Sequence, residues 1–263
     1  MNNILIRPAG IALIIFLIGC LTLLSVSSYS QQLFNYKRDF SVILENTKDK
    51  SNNLFYDSLL TRFKRNENSL SKYETLALLI AFTGDNFYDP YNDMETEKEI
   101  YNVNEAGDYE TALIQSKEYL QKHPVSLRIL KEVSYSYHQL GKRDSAKYYM
   151  DLVHQIMSAM IYSGKGKSPE NPIFSLALND GEQFIPNAGM TILNKSTATG
   201  KDKLFMEIIK ARTEEGADIN FYFVIQHAKQ KMDEGYIKDR PLKKNVKSKK
   251  GESKKKFKKT NPD

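Results

Sequence analysis

The chain has a single cysteine, Cys20, and no tryptophan among its 263 residues. One cysteine excludes an internal disulfide and leaves thiol catalysis without a candidate. The four histidines, His123, His138, His154 and His227, never stand three or four residues apart, so no metal-ligand spacing is present. They are expected on helix faces or at the surface. No serine, including Ser163, Ser175 and Ser196, sits in a G-x-S-x-G nucleophile elbow. Gly166-Lys167-Ser168 has the ending of a phosphate loop, but Ile161 occupies the place of its first glycine, so the segment reads as a turn. Asp85, Asp89 and Asp93 stand four apart, whereas a calcium loop of the common type needs acids two apart and a central glycine. They read as loop residues capping neighbouring helices. No catalytic, metal-binding or cofactor-binding residue is therefore expected. One chemistry escapes this exclusion, because a carboxylate pair assembled by the fold leaves no sequence signature. Asp180 and Glu182 are the obvious pair, although a tight turn between strands accounts for them equally.

Charge is distributed unevenly. The chain carries a formal +6, yet from Arg240 to Asp263 eleven Lys or Arg face only Glu252 and Asp263, a net +9, which leaves −3 for everything before. Residues 238–263 have too few apolar side chains to offset the entropy of ordering and are expected to be disordered. Such a tail suits an anionic surface. At the other end, Arg7 precedes an apolar run from Ile11 to Val26, followed by Ser27, Ser28 and Ser30. The pattern is that of an export signal over residues 1–30, cleaved between Ser30 and Gln31. At about sixteen residues the run is shorter than the roughly 20 a spanning helix needs, though retention as an anchor stays open. Leu17-Ile18-Gly19-Cys20 also resembles a lipoprotein signal, which makes Cys20 the lipidation candidate. Export to the periplasm or cell envelope argues against a nucleic-acid partner.

The middle of the chain repeats. Gly107-Asp108-Tyr109-Glu110-Thr111-Ala112 recurs as Gly141-Lys142-Arg143-Asp144-Ser145-Ala146, an offset of 34 residues at both Gly and Ala. That offset is the tetratricopeptide period, and Pro124 falls where such a repeat closes. Gly107 and Gly141 permit left-handed turn residues, Ala112 and Ala146 permit close helix approach, and Pro124 stops a helix. Helices are expected near 95–105, 108–122, 126–140 and 143–160. Upstream, 40–44, 54–60 and 73–82 also read as helices, the last with a capping box at Ser71 and Glu74. The helical region is placed at 31–161, and its groove is expected to run along 126–140.

After Ile161 the apolar runs shorten. Residues 173–178, 190–193, 204–210 and 219–226 read as strands, the last two joined by a hairpin containing Gly216. A small antiparallel sheet over 162–237, packed on the helical layer, makes the expected fold α+β. Asn194-Lys195-Ser196 forms a glycosylation sequon by pattern and is given little weight.

Phe55-Tyr56, Leu70-Ser71, Tyr88-Asp89-Pro90-Tyr91, Pro124 to Leu127, Ile161 to Gly166 and Phe221-Tyr-Phe223 occur in an order that resembles a family of exported bacterial proteins, domain of unknown function 4919. That family usually has Asp between the glycines where this chain has Lys165. The resemblance implies export and a shared fold, and no activity. The expected function is a non-catalytic interaction or scaffold protein of the cell envelope, binding an unknown protein or peptide. The alternatives are an envelope-polymer hydrolase with a fold-assembled carboxylate pair, and a peripheral membrane-surface protein held by its amino terminus and lysine tail.

Overall fold

A computed structural model of the chain describes residues 34–67 and 69–238. The segment read as an export signal, with Cys20, Ser30 and Gln31, and the lysine-rich residues from 239 onward lie outside the described residues. The helices are α1 (Tyr36–Asn46), α2 (Tyr56–Lys64), α3 (Lys72–Phe82), α4 (Asn92–Glu105), α5 (Tyr109–Lys122), α6 (Leu127–Gln139), α7 (Arg143–Ser163), α8 (Asp180–Asn187) and α9 (Gln226–Lys238). The strands are β1 (Ile173–Phe174), β2 (Thr191–Thr199), β3 (Phe205–Arg212) and β4 (Asp218–Val224).

Helix α3 organises the amino-terminal half. Every residue from Thr75 to Phe82 is buried, so the helix has no polar face and must be enclosed on all sides. It is enclosed by α1, α2 and α7. Its start is fixed by the expected capping box: Ser71 Oγ accepts from the Glu74 amide, and Glu74 accepts from the Ser71 amide. Arg62 Nη1 then donates to Glu74 Oε1 at 2.6 Å, tying α2 to the same cap.

Helices α4 to α7 pack each on the next, α4–α5, α5–α6 and α6–α7. The two glycine turns are the same structure 34 residues apart. Gly107 and Gly141 have φ of 81° and 72°. The Gly107 amide donates to Asn104 O and the Gly141 amide to His138 O; Asp108 N reaches Val103 O as Lys142 N reaches Tyr137 O. Ala112 and Ala146 are both buried where the helices approach.

The sheet has the order β1-β4-β3-β2. The β3–β4 hairpin turns through Gly216, with the Thr213 amide donating to Ala217 O. β2 pairs antiparallel with β3, and their register shifts between Ile192 and Asn194. The α+β class follows, with the helical layer first and the sheet after it. Several local readings differ from the expectation. β1 covers two residues rather than 173–178 and lies parallel to β4, so the sheet is mixed rather than wholly antiparallel. Asp180 and Glu182 stand in the first turn of α8, not in a tight turn between strands. α8 and α9 are helices within the segment read as a β region, and β2 runs on to Thr199.

One large core joins α1, α2, α3 and α7 to the inner face of the sheet, through residues such as Phe63, Leu76, Ile156, Phe174 and Phe223. A second, smaller cluster of Ile100, Leu113, Ile129, Val133 and Tyr137 fills the α4–α7 hairpins.

Candidate functional site

Two surfaces carry unusual chemistry. The first is the hairpin region. Between α4 and α6 runs a buried polar seam. Ser126 Oγ donates to Glu97 Oε1 at 2.6 Å, Asn104 Nδ2 donates to Glu132 Oε2 at 2.8 Å, and Ser136 Oγ donates to Asn104 Oδ1 at 2.6 Å. Burial raises the carboxyls of Glu97 and Glu132 above the ordinary range. Such a seam, fully paired, fixes the register of one helix against another.

The groove expected along 126–140 is closed. Eight residues of α6 are buried, and α8 lies over part of what remains, with Lys131 Nζ donating to Gln183 Oε1 at 3.1 Å. The open groove instead lies between α4 and α5 and measures about 430 Å³. Ile100, Val103 and Tyr119 line it, with Asp93, Glu99, Glu118, Lys122 and His123 around them. Tyr119 stacks on His123 at a ring distance of 4.2 Å. His123 Nδ1 and Asp93 Oδ1 are 3.5 Å apart, yet the geometry makes no hydrogen bond. Burial pushes Asp93 up to about 7 and His123 down, which favours the neutral form of each. The two are therefore not an ion pair at neutral pH, since the His123 ring is uncharged there.

The second surface is a cleft of about 420 Å³ between α4, the segment before α8, the β2–β3 pair and α9. Glu207 lies at its edge, 3% exposed, with Oε2 unpartnered. Burial raises its carboxyl to about 8, and Glu182 and Asp180 add to the rise while Lys195 opposes it. Lys195 of β2 pairs with Glu182 and stands 3.9 Å from Glu207. Asp180 accepts from the Ala177 amide at 2.8 Å and is raised by burial to about 7. The Asp180–Glu182 pair is thus joined by a third carboxyl that sequence reasoning missed. Its signal was an acid at an inward position of β3, in step with Ile209 and Ala211.

The remaining candidates have structural roles. His227, expected on a helix face or at the surface, stands on α9 and is buried among Phe174, Phe40 and Tyr36 at ring distances of 4.8, 5.5 and 5.9 Å. Its Nε2 donates to Leu176 O at 3.2 Å, and burial lowers it to about 4, so it is neutral. His123 is buried too, while His138 and His154 are exposed. Asp85 and Asp89 accept from the amides of Phe87 and Asn92, and Asp93 accepts from that of Asp89. Gly166 sits in a turn held by the Tyr222 and Gly166 amides. Pro124 closes the turn after α5, and the Ser126 hydroxyl caps α6. Among the described residues no three His, Cys, Asp or Glu are grouped to hold a metal, and no helix is long and apolar enough to cross a membrane.

A family model described as a domain of unknown function, DUF4919, matches residues 41–234. The chain belongs to that family. The DUF4919 match begins within α1 and ends within α9, so it takes in the hairpins, the sheet and both surfaces. No curated protein and no solved structure matches the chain.

Proposed function

We propose that the protein is an exported, non-catalytic interaction module of the bacterial cell envelope, whose tetratricopeptide-like hairpins hold a segment of a protein partner. The observation that carries this reading is the match of the two turns at Gly107 and Gly141, whose positive φ and closing backbone bonds recur at a 34-residue offset. Stacked hairpins of that period present side chains along a groove. With α6 covered, the α4–α5 groove takes that role. Its apolar floor of Ile100 and Val103 and the acids Glu99 and Glu118 suit an apolar segment flanked by basic residues. The N-terminal signal supports export. The lysine tail supports a second hold on an anionic surface, which salt would weaken. Binding to anionic vesicles would then disappear on removal of the residues after Arg240.

Capture from an envelope extract tests the main reading, with the wild-type chain compared to a Glu99→Lys/Glu118→Lys double variant. Both positions are exposed, so the variant keeps its fold. A partner recovered reproducibly by the wild type and lost by the variant is expected. No reproducible partner, or equal capture by both, overturns the reading.

One observation favours a hydrolase as a second reading. Glu207 is held protonated beside Glu182, the division of labour between acid and base that glycoside hydrolysis uses. Lys195 occupies the space between the two, which ranks this reading second. Turnover of an envelope polymer, abolished by Glu207→Gln, would promote it.

A further inference from the structure

Two carboxyl groups at the β2–β3 cleft share one lysine. Glu182 comes from α8 and Glu207 from β3, while Lys195 of β2 pairs with Glu182 and lies near Glu207. From α9, Lys229 and Asp233 face the same cleft and pair with each other at 2.7 Å. The acids therefore outnumber the bases by one, and a buried proton on Glu207 covers the difference. A buried carboxyl oxygen without a hydrogen-bond partner, as at Glu207 Oε2, costs about 1–3 kcal/mol, so the site holds an unmet polar atom as well as a surplus of acid.

The walls narrow the choice of ligand. Met94, Leu178, Phe205, Ile225 and Met232 line most of the cleft. A sugar would leave hydroxyls unpaired against them. An anion would meet the surplus of acids. A cation with an apolar body meets both conditions. The chain supplies a precedent, since Lys229 Nζ stands 5.6 Å above the Phe205 ring, within the range of a cation–π contact.

We propose that this cleft binds an amine cation with an apolar body, an alkylammonium or lysine-like side chain, whose ammonium pairs with the carboxylate of Glu207. The proton on Glu207 leaves as the ammonium arrives, so the exchange conserves charge in the buried site. The site lies on the sheet side of the molecule and does not depend on the hairpin groove.

Titration of the purified chain with n-hexylammonium, beside 1-hexanol and hexanoate of the same length, tests the proposal by calorimetry. Saturable binding of hexylammonium at least tenfold tighter than hexanol is expected, with no hexanoate binding. A proton should be released on binding, read as a heat that changes with the buffer. Apparent affinity should rise by about tenfold or more from pH 6.5 to 8.5, because the amine stays charged while Glu207 ionises. Glu207→Gln should weaken hexylammonium at least tenfold and leave hexanol unchanged. If that variant fails to fold, the alcohol comparison and the proton release in the wild-type chain decide. Equal binding of amine and alcohol, no amine binding, or binding without proton release overturns the proposal.

Discussion

Two glycines show how differently one residue type is used. Gly141 holds φ of 72° with nothing within 4 Å of the place a Cβ would occupy. Alanine there pays only for its left-handed backbone, about 1–2 kcal/mol. Gly181 is helical, and alanine would ordinarily help a helix. Its Cβ would stand 2.7 Å from Glu207 Oε2, 2.8 Å from Ile209 Cδ1 and 3.1 Å from Phe223 Cδ2. The Glu207 end can swing aside, but Ile209 and Phe223 are fixed in the core. Gly181→Ala should therefore lower stability by about 1–3 kcal/mol through overpacking, the expected helix gain notwithstanding. Urea denaturation of the two variants checks the contrast. A neutral or stabilising Gly181→Ala would show that α8 does not press on β3. His227 makes the complementary point. Its surroundings, Tyr36, Phe40 and Phe174, come from α1 and β1, so a histidine whose own sequence points only to a helix face or the surface becomes part of the core.

Among the elements, legibility follows the range of the forces involved. α3 to α7 were readable because their apolar spacing, caps and glycine turns act within a few residues. The α3 cap was visible as Ser71 with Glu74, and its two arms have unequal weight. Ser71→Ala loses one amide bond and should cost about 1 kcal/mol. Glu74→Ala loses the reciprocal bond and also the 2.6 Å contact from Arg62, so it should cost more. Thermal denaturation of the pair checks the order, and equal losses would mean that the arginine contributes nothing. α8 was hidden because it has only eight residues and contains Gly181 and Pro186, both poor helix formers. Packing on α6, β2 and β3 holds it in place. β2 was read too short because it is exposed on both faces, so no apolar alternation marks its length. Parallel pairing of β1 with β4 depends on residues fifty apart and leaves no local trace. The covered face of α6 and the meeting of Glu207 with Lys195 are unreadable for the same reason.

At the scale of the whole molecule, pH separates the buried groups by sign. Asp180 and Glu207 are raised to about 7 and about 8, and Asp93 to about 7, in each case chiefly by burial. A raised carboxyl holds its proton better in the folded chain, so its contribution is present at low pH and lost as pH rises through the folded value. His227, lowered to about 4 by burial, acts the other way: unfolding becomes favoured as pH falls from about 6.5 towards 4, because only the unfolded chain binds that proton. The surface carboxyl of Asp218, held at about 2 by Arg212 and Lys210, matters only in acid. Between pH 6.5 and 8.5 the raised acids therefore dominate, the histidines contributing only the tail of their unfolded-state titration. The melting temperature should fall across that window by about 5 °C or more, since each kcal/mol shifts a body of this size by about 2–4 °C. Glu207→Gln, which cannot ionise, should flatten the fall while leaving its direction to Asp180 and Asp93. Thermal melts of both chains at half-unit intervals read the difference. A melting temperature constant or rising from pH 6.5 to 8.5 would mean that these carboxyls are ionised in the fold, each with a cation or water that lets it discharge its proton near the ordinary value.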